Sequence, residues 1–273
     1  MSEKKKTSLR LTQAKDFKWP HAKILIIGQS GAGKTHGATE GFGSEMAYLP
    51  FEAQGIAIVR DTAPEAMILS KGNDKPLSSV SELREALAVL QGRTDIDISH
   101  IKYLVIDSIN EIQWLFKQDI QKRLDAKAKE EGKGKPPFSK AAYGVLRDKM
   151  RNVLGALRDL PFTVIMLAKV KEDPKTGAYE FVVDGSISDE IVGYFNASVY
   201  FYRVGAVGGE AEYFGISEAD SRYPVKPFRN IRRVMHTKVS DWFKAQSDDS
   251  INIYPESYSQ PSAGGGASEE VEY

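Results

Sequence analysis

The sequence predicts an α/β fold in which helices flank a mostly parallel, twisted sheet, and three observations predict it. Apolar runs recur at Ile24 to Ile27, Gly55 to Val59, Tyr103 to Ile106, Thr163 to Leu167 and Ser198 to Tyr202. Helical spacing of apolar residues fills the stretches between them, and near-continuous apolar runs of this kind suit strands buried on both faces. The first run ends in a glycine-rich loop followed by Lys and Thr, a strand-to-helix junction of the parallel type. Residues 211–217 and 231–236 read as antiparallel strands added at one edge.

The elements follow in order. KILII, Lys23 to Ile27, is the first strand, and residues 28–35, GQSGAGKT, match the phosphate loop G-x-x-x-x-G-K-[ST] at every fixed position. Gly28, Gly31 and Gly33 let backbone N–H groups converge on phosphate oxygens, with a helix start behind them. The nucleotide contacts implied are Gly28, Gln29, Ser30, Gly31, Ala32, Gly33, Lys34, Thr35 and His36. Lys34 reaches the β- and γ-phosphates, and Thr35 offers a hydroxyl to Mg²⁺, a cation that takes few protein oxygens and keeps its waters. ATP and Mg²⁺ are therefore the expected cofactors.

Further along, Ser79 and Glu82 have capping-box spacing ahead of ELREALAVLQ, with Gly92 as the stop. YLVID at 103–107 has the form of a strand whose terminal carboxylate holds the metal, which makes Asp107 the second metal residue. Ser108 follows it where a water-activating Glu could stand, so a general base has to come from elsewhere. Ile112, Leu115, Phe116 and Ile120 share one helix face, and Val145, Leu146, Met150, Val153, Leu154 and Leu157 repeat near 3.6 before Pro161. Lys127 to Lys140, KAKEEGKGKPPFSK, reads as a mobile loop between those two helices.

The 273-residue chain has no cysteine and a formal net charge of zero, with 41% hydrophobic and 27% charged residues, as expected for one principal globular domain. Disulfides and thiolate metal sites are excluded, and no run approaches the length of a membrane span. The expected division is an N-terminal extension at 1–20, a nucleotide-binding domain at 21–245 and an acidic, largely disordered tail at 246–273. The charge is segregated: six Lys or Arg and no acid lie between Arg222 and Lys238, and six acids and no base lie between Ser247 and Tyr273.

The phosphate loop, a carboxylate just past the next strand and the hydrophobic-Asp-Ser ending together resemble the RecA-like ATPase core, over roughly residues 20–240. The resemblance extends to the short RecA-like proteins of bacteriophages that act in single-strand annealing or recombination mediation, through IDS, Glu52, YGVLRDKM and the VYFYR strand. It implies the fold of that core. It also implies ATP hydrolysis, single-stranded DNA binding, homo-oligomers with ATP sites between subunits, cooperation with a single-strand DNA-binding protein, and a cytoplasmic setting in the phage host. In AYLPFEAQ at 47–54 it places the general base at Glu52, with Glu111 as rival. Lys169 takes the position of the γ-phosphate sensor, usually a Gln. The segment 171–188 takes that of a loop that orders on DNA, with Lys171 and Lys175 for phosphates and Tyr179 or Phe181 for stacking; a β-hairpin is the other reading. Arg222, Lys226 and Arg229 are the candidates to act on a neighbouring subunit's nucleotide.

Other classes share the loop. A small-molecule or nucleotide kinase needs an Arg-rich lid, and the Lys127 to Lys140 segment has no Arg. A GTPase needs an Asn-Lys-x-Asp motif, which is absent. Ser108 disfavours an AAA-type ring motor, and an ATP-binding scaffold without turnover stays open.

Overall fold

The computed structural model describes residues 21–72, 75–205, 211–217, 222–226, 234–245 and 253. Six parallel strands stand in the order β3 (Met67–Ile68), β2 (Met46–Pro50), β4 (Tyr103–Asp107), β5 (Thr163–Glu172), β1 (Lys23–Gly28) and β7 (Ala197–Val204). Antiparallel β8 (Glu212–Ile216) and β9 (Val234–His236) extend the β7 edge, and β6 (Tyr179–Phe181) folds back on the end of β5. This is the predicted class: a mostly parallel sheet, antiparallel edge strands and flanking helices.

Every residue of β1 is buried, which is why its sequence does not alternate. Leu25 and Ile27 face one apolar layer, covered by α3 (Val80–Leu90), α4 (Ile109–Glu130) and α5 (Lys140–Arg158). Ile24 and Ile26 face the other, covered by α1 (Lys34–Thr39), α2 (Ala53–Thr62) and α6 (Val239–Lys244). The α3 cap forms as expected, with Ser79 Oγ accepting from the Glu82 N–H at 3.2 Å. The Glu82 carboxylate reaches back one residue further than a capping box requires, to the N–H of Ser78 at 2.7 Å.

Three expectations are corrected, and one of two open readings is selected. Gly55 to Val59 is helix and not strand, because Ile56 and Val59 bury one face at i, i+3 while Ala57 is exposed. Val145 is 48% exposed, since about 100° per residue separates it from buried Leu146. The loop expected at Lys127 to Lys140 shrinks to 131–139, because AKAKE at 126–130 is made of good helix formers and Ala128 is buried. In the segment 171–188 the hairpin reading holds. Asp173 ties its turn by accepting from the Lys175 N–H at 3.0 Å and the Thr176 hydroxyl at 2.8 Å, and Phe181 lies in the core, removed from any stacking role.

Candidate nucleotide site

Four strands deliver their C-terminal ends to one place, the edge where parallel α/β sheets bind ligands. After β1, the loop from Gln29 to Gly33 turns into α1 through left-handed glycines, Gly31 at φ 79° and Gly33 at φ 74°. Side chains with a Cβ rarely take that conformation, which explains glycine at both positions. The Lys34 ammonium lies back along the loop, donating to the carbonyls of Gly28 at 2.9 Å and Gln29 at 2.7 Å. Burial pulls the Lys34 pKa down to about 8, against the opposing charge of Asp107.

The metal-site expectation brings together two residues 72 positions apart: Thr35 Oγ1 donates to Asp107 Oδ2 at 2.8 Å. The Tyr48 hydroxyl donates to the same oxygen at 3.0 Å. Burial nevertheless pushes the Asp107 carboxyl above its ordinary range, the two hydroxyls and Lys34 opposing it. The buried Ser108 Oγ beside it has no hydrogen-bond partner among the described residues. A buried carboxylate, a hydroxyl one bond away and an orphaned oxygen form a hard donor set that fits Mg²⁺. Among the described residues no group of three His, Asp or Glu could hold a metal by itself. Thr35 and Asp107 would therefore share the ion with phosphate oxygens and water.

Glu52 stands at the end of β2 as the extended residue ahead of α2. Lys169 lies in β5, in register with Gly28 of β1, so its ammonium emerges beside the phosphate loop. That ammonium donates to Glu52 Oε1 at 2.6 Å and to Glu111 Oε1, on α4, at 3.3 Å. The two carboxylates that the sequence left as rivals are thus gathered on one cation. Burial acts to raise Glu52, yet the hydrogen bond and charge of Lys169 hold it below the usual carboxylate range. Glu111 is pushed above that range by burial and by its neighbour Glu52. Lys169 is itself held above its ordinary value: burial opposes this, and the two carboxylates outweigh it.

Sequence reasoning missed three supporting residues. Tyr48 is fully buried in β2, and a tyrosine there needs a partner for its hydroxyl, a signal that was available. Gly55 makes room for it: a Cβ at Gly55 would lie 2.1 Å from the Tyr48 hydroxyl oxygen. Asn110 accepts from the Lys169 N–H at 2.7 Å and donates to the Val182 carbonyl at 2.5 Å, joining α4 to both ends of the hairpin.

The basic segment lies elsewhere. Lys226 pairs with Ser198 of β7, which is opposite Leu25, about 10 Å down the sheet from Gly28. Its ammonium donates to the Phe195 carbonyl at 3.0 Å, and the Arg222 guanidinium sits 5.5 Å from the Tyr223 ring centroid. Lys226 therefore lies away from this chain's own phosphate site. Arg229, the 1–20 extension and the expected 246–273 tail, apart from buried Ile253, lie outside the described residues.

No helix among the described residues is long and apolar enough to cross a membrane. A family model described as an AAA domain matches residues 21–247. No curated protein matches the chain. Among solved structures, it is similar to the KaiC-like protein PH0186 of the hyperthermophilic archaeon Pyrococcus horikoshii OT3, at 17% identity and a TM-score of 0.42, covering 78% of this chain and 82% of that one.

Proposed function

The chain belongs to the AAA-domain family, and on that premise we propose that it hydrolyses MgATP and couples the cycle to single-stranded DNA in recombination, annealing or replication. One observation carries the catalytic half. A phosphate loop, a Thr35–Asp107 pair and an ionised Glu52 meet at the ends of β1, β4 and β2. Mg²⁺ bound there would neutralise charge on the β- and γ-phosphates. Thr35 and Asp107 orient that end of the nucleotide. Lys34 leaves its carbonyl partners for phosphate oxygens, a move that favours its charged form. Glu52, kept low in pKa by Lys169, accepts a proton from the attacking water. Lys169, bonded to Glu52 and in register with Gly28, exchanges a carboxylate for the γ-phosphate as the sensor position requires. The AAA-domain match overturns the expectation that Ser108 disfavours that class, and a base at Glu52, just past β2, is consistent with it.

The DNA half rests on the RecA-like resemblance and on the β5–β6 hairpin, which exposes Lys171 near the end of β5 and Lys175 in its turn. In the same reading Arg222, Lys226 and Arg229 serve a neighbouring subunit's site in a homo-oligomer, since Lys226 is too far from its own. The test is ATP turnover with and without single-stranded DNA, at several salt concentrations, alongside Lys171→Ala/Lys175→Ala. Stimulation by DNA that the double substitution weakens is the expected result. Turnover indifferent to DNA would remove the DNA half and leave a kinase or a nucleotide-gated scaffold ahead.

A further inference from the structure

The β7–β8 hairpin outruns the strand it flanks. β7 pairs with β1 as far as Phe201 opposite Gly28, then continues to Val204, held by Glu212 of β8. Its last rungs therefore stand beside the phosphate loop and not beside the sheet. Side chains alternate along them. Tyr202 and Phe214 share one face, with ring centroids 5.7 Å apart, and Tyr202 packs on the core that contains Tyr200. Arg203 and Tyr213, paired across the strands, take the opposite face, one step beyond Phe201, which packs in the same layer as Ala32 and Ala38.

Both residues of that pair are exposed, Tyr213 by 36%, and Tyr213 belongs to neither apolar layer. Its ring nonetheless lies against the phosphate loop. A Cβ built on Gly33 would come within 2.8 Å of Tyr213 Cδ1, 3.2 Å of Cε1 and 3.3 Å of Cγ. The ring rests on the residue immediately before Lys34 and keeps 36% of the residue's surface open. A planar π surface next to bound phosphates is what a nucleobase needs, because every base has a face to stack.

Resting on the nucleotide-site reading above, we propose that Tyr213 is the platform on which the base of the bound nucleoside triphosphate stacks, with Arg203 flanking it. The ring then fixes the base end of the ligand while Lys34, Thr35 and Asp107 fix the phosphate end. Stacking of this kind tolerates different bases, so it contributes affinity more than base identity.

Two probes separate the ends of the ligand: MgATP, and inorganic tripolyphosphate with Mg²⁺, which has no base. Their affinities are measured by calorimetry on the full chain and on Tyr213→Ala and Tyr213→Phe. Tyr213→Ala should weaken ATP by about tenfold or more and leave tripolyphosphate unchanged, while Tyr213→Phe binds both as the unsubstituted chain does. Equal losses for both probes would show a role in shaping the loop and overturn the proposal, as would an unchanged ATP affinity in Tyr213→Ala. An unsubstituted chain that binds neither probe would instead refute the nucleotide site itself.

Discussion

Replacing Asp107 with Asn should stabilise the nucleotide-free protein while removing the ligand's own stabilisation. Asp107 is buried, and its pKa is raised by that burial despite hydrogen bonds from Thr35 at 2.8 Å and Tyr48 at 3.0 Å. A carboxyl whose folded pKa exceeds its unfolded value contributes most at low pH and opposes folding once ionised, so at neutral pH the charge costs stability. Burying an ion costs several kcal/mol, and each hydrogen bond to it returns about 1.5–3 kcal/mol. Asn keeps an acceptor for the hydroxyls and has no charge to desolvate, so a gain of about 1–2 kcal/mol is expected, toward the low end of the range for neutralising buried ions. For a domain of this size that raises Tm by roughly 2–8 °C. The assay is thermal unfolding in chelator, then in MgATP. With ligand at about 100 times Kd the original chain gains roughly 2.7 kcal/mol, and the Asn variant gains little, so the order of Tm reverses. An Asn variant less stable in chelator, or equally stabilised by MgATP, would refute the reading of Asp107 as a destabilising metal ligand.

Lys34 gives a pH signature: with its free pKa near 8, nucleotide affinity should fall above pH 8, approaching about tenfold per unit as proton uptake becomes part of binding. A flat affinity up to pH 9.5 by calorimetry would contradict this. Lys169→Met should move the acid limb of the kcat/KM profile to higher pH, because the ammonium at 2.6 Å holds Glu52 low; an unmoved limb would mean that Glu52 does not govern it. Gly55→Ala should destabilise by about 1–3 kcal/mol and weaken Mg²⁺-dependent binding, since its Cβ would displace the Tyr48 hydroxyl from 2.1 Å away. Denaturant titration together with ATP binding at varied Mg²⁺ checks both effects.

Much of the site was legible because it sits in local patterns. The phosphate loop carries its own geometry in Gly31, Gly33 and Lys34, and β4 announces itself by an apolar run ending in Asp107. The contact between Thr35 and Asp107 follows once both strands are parallel neighbours of β5. The pairing of Lys169 with both Glu52 and Glu111 was not legible, because it depends on the register of β5 against β1 and on a helix start after β4. The run from Gly55 to Val59 misled because five apolar or small residues fit either period; its placement after Glu52 in a short loop decided for helix. Tyr213 was invisible for a related reason, since only the overrun of β7 past Gly28 brings that strand residue to the loop.

Glu52→Gln bears on hydrolysis most directly. Turnover of saturating MgATP is measured for the full chain, for Glu52→Gln and for Glu111→Gln, with ATP affinity followed in parallel. Loss of the base is expected to lower turnover by about 10²–10⁴-fold in Glu52→Gln while ATP still binds, and Glu111→Gln should retain most of the rate. Turnover that survives Glu52→Gln and stops in Glu111→Gln would contradict the assignment and place the base on α4.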